Sequence, residues 1–335
     1  MNIGAIVRSD CTGLGNQSKE FFDHITCKAL VVDVSKVNQG MKQNHDWYPD
    51  STVWYYTRAG RIPSDVQKHF LMGLDVLVCF ETPYDYSIFG LAKLMGVKTI
   101  LQLNYEFLEY PCKLPSPDLF AAPSLWHYPE IPDPKVYLPV PVAAEKFTAR
   151  WMEKTFVHVA GKPAVHDRNG TQVFLNCLKY VKSEINAHLY CQTAVSVPAI
   201  PAHINLETHF GNKENYAENY QGGVMVLPRK YGGLSLIVNE SLAAGMPVIM
   251  PDISPNNLWL PKEWLVPAIR TGSFMCRKVV DIFEAESVAL AMKIDEFCDG
   301  EFSVQQAEIA TRMGQELYWA AMLPKYQQVF QELKG

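Results

Sequence analysis

The chain lacks a strong charge of either sign, a long apolar run and closely spaced cysteines, and each absence removes a class of protein. A net charge of -5 with 19% charged residues argues against a disordered chain and against a globally basic nucleic-acid binder. A local basic patch from Arg58, Arg61 and Lys68 stays open. No apolar stretch approaches the ~20 residues of a membrane span. The opening MNIGAIVRSD has no apolar core and no cleavage site, so no signal peptide is expected. The eight cysteines are scattered, without a C-x-x-C. This sets aside structural zinc and a secreted disulfide framework, and it predicts reduced thiols in a cytoplasm. H-E-x-x-H is missing, and so is D-x-D, the acidic pair that chelates divalent cations; the expectation is chemistry without a metal. Neither a serine elbow nor a Cys–His nucleophile can be found. Internal repeats and low-complexity tracts are absent as well.

What is present is apolar and alternating. Hydrophobic residues make up 48% of 335 residues, enough for two ordinary domains with sizeable cores. Strands are predicted at 2–7, 28–34, 52–56, 74–80 and 97–103. A polar glycine loop at 9–16 leads into a helix from about Gln17, and a second helix covers 87–95, closed by Gly96. Prolines at 111, 115, 117, 123, 129, 132, 134, 139 and 141 then predict surface loops and a crossing between domains. A second set follows: strands at 156–161 and 187–191, helices at 171–181 and 214–220. The segment 305–333 reads as helical, with Pro324 forcing a kink or break. Strand–helix alternation of this kind predicts α/β architecture with parallel, doubly wound sheets, whose ligands bind at the carboxyl ends of the strands.

The densest signal is VMVLPRKYGGLSLIVNESLAAGMPVIMPD, residues 224–252. It reads as a buried strand, a glycine turn, a helix from Gly232-Gly233 to about Ala244, a C′ glycine at Gly245, and a second buried strand. Leu234, Ile237, Val238, Ser241 and Leu242 form the inward stripe of the helix. Glu240 falls about 120° from the middle of that stripe at ~100° per residue, which predicts a carboxylate facing a cleft above the sheet. Bare N–H groups at the helix start offer an anion site. The unit is suited to a ligand with phosphate at one end and hydroxyls at the other.

Residues 230–249, KYGGLSLIVNESLAAGMPVI, resemble the donor-binding signature of GT-B glycosyltransferases, especially the retaining enzymes of family 4, roughly R-Y-E-G-F-G-L-x-x-x-E-A-x-A-x-G-x-P-V-I. The resemblance implies two Rossmann-like domains facing a cleft, with a C-terminal helix crossing back to the N-terminal domain. Its boundaries would be 1–145 for the acceptor side, 146–310 for the nucleotide-sugar side and 311–335 for the returning helix, anchored by Trp319 and Tyr326. It implies a nucleotide-diphosphate sugar, with a UDP-sugar as co-substrate and no other cofactor, and transfer with retention and without metal. The family's second glutamate, on the donor ribose, matches Glu240; its first, on the donor sugar, falls on Gly232. Arg229, Gly232, Gly233, Leu234 and Ser235 would line the donor. The loop 161–171 resembles the family's G-R…K-G loop. Gly161 begins it, and Lys162 and Arg168 stand for the two cations that neutralise the diphosphate. Read from the residues alone, both could equally be solvated loop cations. Lys162, Arg168 and Glu240 are the residues expected to carry the chemistry.

On the N-terminal side, Gly13 and Gly15 lie where the family approaches the donor phosphates, although a plain strand–helix turn explains the same residues. Asp10, Glu81, Tyr84, Asp85, Asn104 and Glu106 are the acceptor-side candidates. Tyrosines can stack on a sugar or base, and carboxylates can orient a hydroxyl. The stretch PDISPNN at 251–257 also resembles glycosyltransferases of tailed bacteriophages. That likeness implies a modified DNA base or a virion protein as acceptor, in a host cytoplasm. Two other functions fit the same pattern: a nucleotide-sugar epimerase of this fold, and a non-catalytic relative that keeps a donor site.

Overall fold

A computed structural model describes residues 1–108, 115–148, 150–161, 166–211, 213 and 215–335. The chain divides into two compact units, Met1–Val140 with Met322–Gly335, and Pro141–Ala321.

The first unit carries β1 (Ile3–Val7), α1 (Gly13–His24), β2 (Cys27–Asp33), β3 (Thr52–Tyr55), α2 (Ser64–Leu71), β4 (Val76–Glu81), α3 (Ser87–Leu94), β5 (Lys98–Leu103), β6 (Leu119–Ala122) and β7 (Lys135–Tyr137). Its seven strands are all parallel, in the order β3-β2-β1-β4-β5-β6-β7. Runs such as IGAIV in β1 are buried throughout, as expected of a sheet covered on both faces. The proline-rich segment is not only loop: it contributes β6 and β7. Both are very short, and β7 is an edge strand that begins one residue after Pro134, where a missing N–H costs the ladder little. Helix α1 starts at Gly13, four residues before the expected Gln17. Thr12 caps it by accepting from the Gly15 amide at 3.3 Å.

The second unit carries β8 (Thr155–Gly161), α4 (Thr171–Cys177), β9 (Ile185–Cys191), β10 (Ile204–Phe210), β11 (Val224–Val226), α5 (Leu236–Ala243), β12 (Val248–Pro251), β13 (Leu265–Val266), β14 (Ala268–Met275), β15 (Val279–Ala285), α6 (Ser287–Glu296) and α7 (Gly300–Glu316). Six strands form a parallel sheet in the order β10-β9-β8-β11-β12-β13, and β14 and β15 pair as an antiparallel hairpin. The helix expected at 214–220 is a single 3-10 turn, Tyr216–Asn219; Glu214 lies outside the described residues.

The last helix, α8 (Trp319–Lys334), runs through Pro324. The break falls instead at residues 317–318, between α7 and α8. Pro324 is the sixth residue of α8, so it removes one bond near the helix start. From Met322 onward the helix belongs to the first unit. There Tyr326 donates to the Pro139 carbonyl at 3.1 Å, and Phe21 packs its ring against Tyr326 and Phe330. Lys334 pairs with Asp75 at 3.0 Å.

His158 ties the second core together. It is fully buried in β8, bonds the Val226 carbonyl through Nδ1 at 2.7 Å, faces the Thr171 hydroxyl through Nε2 at 3.1 Å, and stacks on Phe174. Burial lowers its pKa from 6.5 to about 4. The unfolded chain therefore binds a proton that the folded chain excludes. Stability from this group is fully present above pH ~6.5 and is lost as pH falls toward ~4, to the extent of about 3 kcal/mol. Urea midpoints measured between pH 7.5 and 4.5 should fall steeply for the wild type, and His158→Gln should flatten that slope. An equal slope in both proteins would contradict the assignment.

Candidate functional site

In each sheet the strand order reverses at one point: between β1 and β4 in the first unit, and between β8 and β11 in the second. Loops that leave the carboxyl ends of these strand pairs are where an open parallel sheet receives its ligand. In the second unit they are the loop that ends at Thr171 and the segment 227–235.

These two loops bring Arg168 and Arg229 together over Gly232. A Cβ built on Gly232 would stand 2.2 Å from Arg168 Nη2 and 2.9 Å from Arg229 Nη2, and its φ of +105° disfavours any L side chain. What a side chain at 232 would meet first is the pair of guanidinium groups. Arg229 is buried and donates to Asn169 Oδ1 and to the Leu234 carbonyl, both at 3.0 Å. Asn169 in turn donates to the Ala160 carbonyl at 2.8 Å. Arg229 thus locks one loop to the other. Arg168 is only partly buried and lies over the Tyr231 ring at 5.1 Å, a cation–π contact. Phe274 of the hairpin packs edge-on against Tyr231 at 4.9 Å. Lys230 is neutralised, 2.9 Å from Glu284.

Helix α5 begins three residues later than the sequence predicts, with Ser235 as its N-cap. The Ser235 side chain is 8% exposed, and its Oγ has no hydrogen-bond partner among the described residues. A buried hydroxyl without an acceptor or donor is costly unless a ligand meets it. It stands at a helix N-terminus beside two guanidinium groups, an arrangement that favours an anion. The neighbouring helix terminus is closed off. At α4 the Asp167 carboxylate accepts from the Thr171 and Gln172 amides, at 2.9 and 3.0 Å.

Glu240 lies five residues beyond Ser235, about 7.5 Å along the helix axis at 1.5 Å per residue. The helical wheel predicts a carboxylate facing a cleft; in the structure Glu240 is 8% exposed, and every residue of α5 from Val238 onward is buried. At Leu242, α5 packs on α7 so closely that a Cβ on Gly314 would meet the Leu242 carbonyl at 2.2 Å. The Tyr220 hydroxyl donates to the Glu240 carboxylate. Burial first, and then the charge of Glu240, hold the Tyr220 phenol far above its ordinary pKa, so it remains a donor. Sequence reasoning passes over Tyr220, which lies 20 residues from its partner with no motif to mark it. Gly161 closes β8 with φ +62°. Gly233 and Leu234 are partly buried in the turn before α5. Lys162, expected as the second cation, lies outside the described residues.

In the first unit, Asp10 is fully buried, and its oxygens are taken up by Arg8 and by the Thr12 amide and hydroxyl. Gly15 is accounted for by the same loop, because a Cβ there would stand 1.8 Å from the Asp10 carbonyl oxygen. Gly13, by contrast, is exposed at the first position of α1. Asp85 is also consumed by the fold: it accepts from the Ile62 and Ser87 amides, both at 3.0 Å, and from Gln67. The other candidates are brought together. Asn104 donates to Glu81 Oε1 at 3.3 Å, and Arg8 reaches the Tyr84 hydroxyl at 3.3 Å. Burial pushes the Tyr84 phenol up to about 12. Glu81 and Tyr84 both hold positive φ, +58° and +60°, uncommon outside glycine and enriched at functional loops. Glu106 is buried on the 3-10 turn Tyr105–Phe107. Arg8, which joins the loops after β1 and β4, carries no sequence signal.

No protein-family model matches the chain, and neither does any curated protein. Solved structures do match its fold. Sucrose-phosphate synthase from Thermosynechococcus elongatus superposes with a TM-score of 0.67 at 11% identity, over 99% of this chain and 99% of that one. The lipopolysaccharide outer core galactosyltransferase WaaB gives 0.66 at 11% identity, over 99% and 100%. HepE of Anabaena, solved with UDP and glucose, gives 0.67 at 10% identity, over 99% and 100%. At such identities the likeness is one of fold: the chain has the GT-B architecture of these glycosyltransferases.

Proposed function

We propose that the protein is a glycosyltransferase that moves a sugar from a nucleotide-diphosphate donor to a hydroxyl acceptor. The observation that carries this reading is the convergence of Arg168 and Arg229 on Gly232, in the turn that leads to Ser235 at the start of α5, whose hydroxyl has no partner among the described residues. A diphosphate fits that chemistry. It carries negative charge, it needs the charge on its leaving oxygens neutralised as the glycosidic bond breaks, and fixed cations supply this. Lys162 keeps its proposed part as a further cation. Glu240, one helical turn deeper, takes the ribose hydroxyls, with Tyr220 positioning its carboxylate. The fold supports the same reading, since HepE shares it and has been solved with UDP-glucose. We take UDP as the nucleotide, retention as the outcome, and the departing phosphate as the group that helps deprotonate the acceptor, so that no metal and no dedicated protein base are required. The acceptor belongs to the first unit, near Glu81, Tyr84, Asn104 and Glu106. A modified DNA base or a protein hydroxyl is its proposed class. Mass-spectrometric screening of nucleotide sugars against DNA and protein acceptors tests the proposal: a product heavier by one sugar supports it, while donor isomerised without acceptor would mark an epimerase. One observation favours a non-catalytic relative, namely Gly232 in place of the family's first glutamate. Nucleotide binding without turnover of any donor would establish it.

Glu240→Ala should weaken UDP binding by about 1–3 kcal/mol, the range for lost charged hydrogen bonds. It should also lower the melting temperature, because the buried Tyr220 hydroxyl loses its acceptor. Tyr220→Phe keeps the carboxylate and should give a smaller loss of affinity. Calorimetry on both variants checks the pair; unchanged affinity in folded Glu240→Ala would remove Glu240 from the site.

A further inference from the structure

The outer face at the edge of the second sheet holds a cluster that the donor site does not use. β9 and β10 run parallel, with Glu207 beside His188 and His209 beside Tyr190. Side chains two apart on a strand share a face, so His188, Tyr190, Glu207 and His209 all project from one side. Glu207 Oε2 stands 3.4 Å from His188 Nδ1 and 3.7 Å from His209 Nε2. Neither contact has the geometry of a hydrogen bond, and both ring nitrogens are buried atoms without a hydrogen-bond partner among the described residues. Two imidazole nitrogens turned toward one carboxylate oxygen, none bonded to another, are arranged around a point rather than with each other.

We propose that His188, Glu207 and His209 form a divalent-cation site of the zinc class. Ligand atoms about 2.0–2.2 Å from a tetrahedral zinc ion lie about 3.3–3.6 Å apart. Of the two nitrogen-to-oxygen separations, 3.4 Å falls in this range and 3.7 Å lies just above it, and all three ligand atoms lie within 4.8 Å of one another. Two imidazoles and one carboxylate are a borderline-soft donor set suited to zinc and its neighbours rather than to magnesium or calcium. The fourth position is left to water. Side-chain exposures of 21% for His188, 37% for His209 and 52% for Glu207 leave an open path for an ion. Ring stacking fixes the imidazoles: Tyr190 lies 4.5 Å from the His209 ring at 13°, and His188 lies 6.0 Å from it at 21°. Lys213 sits over the Tyr190 ring and lies 3.6 Å from Glu218. A bound ion would tie the edge strand β10 to β9. No motif announces the site, because its two histidines are brought together only by parallel pairing of strands with a long connection between them.

The test uses the full chain, without an affinity tag that binds metal, stripped by chelator and titrated with zinc chloride. One zinc per chain should bind and raise the melting temperature. His188→Ala and His209→Ala should each weaken binding by about 100-fold or more, beyond what loss of even an outer-shell partner costs. These are surface positions on a formed sheet, so circular dichroism should stay native; if either variant misfolds, Glu207→Gln removes a ligand with no change of shape. Cobalt substitution is an independent readout. Visible bands without thiolate charge transfer support the site, whereas a thiolate band would place the metal on cysteines and overturn it. Failure of the wild type to take up zinc stoichiometrically, or equal uptake by the His188→Ala/His209→Ala double variant, would also overturn it.

Discussion

Replacing Arg168 with alanine should lower turnover with the native donor by about 100- to 1,000-fold, the range for removing one preorganised group that stabilises a developing oxyanion. The melting temperature should hardly change. Arg168 is partly exposed and lies over an aromatic ring, and such loop cations contribute little to folding. Arg168→Lys should recover part of the activity, because a point charge replaces some of what a planar fork supplies. Arg229 serves as the contrast. It bonds Asn169 and the Leu234 carbonyl from a buried position, so Arg229→Ala should lose stability together with activity. Steady-state kinetics and melting curves on the three variants separate the roles. Full activity in Arg168→Ala would move the phosphate site elsewhere.

Gly232→Glu, which installs the residue that family 4 enzymes carry in the resembling signature, should impair this protein. A side chain at φ +105° costs about 1–3 kcal/mol in backbone strain. Its Cβ would displace the Arg168 guanidinium from 2.2 Å and crowd that of Arg229, and the new carboxylate would then neutralise the charge proposed to hold the diphosphate. Activity should approach that of Arg168→Ala. Gly232→Ala carries the strain and the Cβ contact without the carboxylate: it should melt as low but retain more activity than the glutamate variant. Higher activity with the same donor in Gly232→Glu would instead mark the glycine as a degenerate position and favour a weakened relative.

The central elements were legible because their sequence pattern is unambiguous. Buried runs such as Ile3–Val7 and Val248–Pro251 each have a glycine-bearing turn near one end, and the glycine at 245 closes α5 with φ +68°. Elements away from the centre were harder. Strand β10 at the sheet edge is exposed or half-exposed along most of its length, so INLETHF shows no inward face to read. The hairpin β14–β15 alternates with charged and polar residues and carries no short turn signal. The short strands β6 and β7 were masked by flanking prolines. In the site, the residue types were legible and the pairings were not. Glycine at 232 could be read as room for a ligand, yet only the fold shows two arginines filling that room. Glu240 could be placed on its helix, but its partner Tyr220 lies 20 residues earlier in the chain, where no motif marks it. Asp10 looked available although its partners, Arg8 and Thr12, are two residues away on either side, because only the folded loop turns them onto its carboxylate; Asp85 did so because Ile62 and Gln67 reach it from 23 and 18 residues away.

Isothermal titration of UDP into the wild type and Arg168→Ala tests the central claim most directly, since it asks whether the second unit holds a nucleotide diphosphate at the Arg168 loop. The account predicts saturable binding of one UDP per chain that weakens at least about 10-fold in the variant, equivalent to about 1.4 kcal/mol. Absence of binding at millimolar UDP, or identical affinity in both proteins, would contradict it.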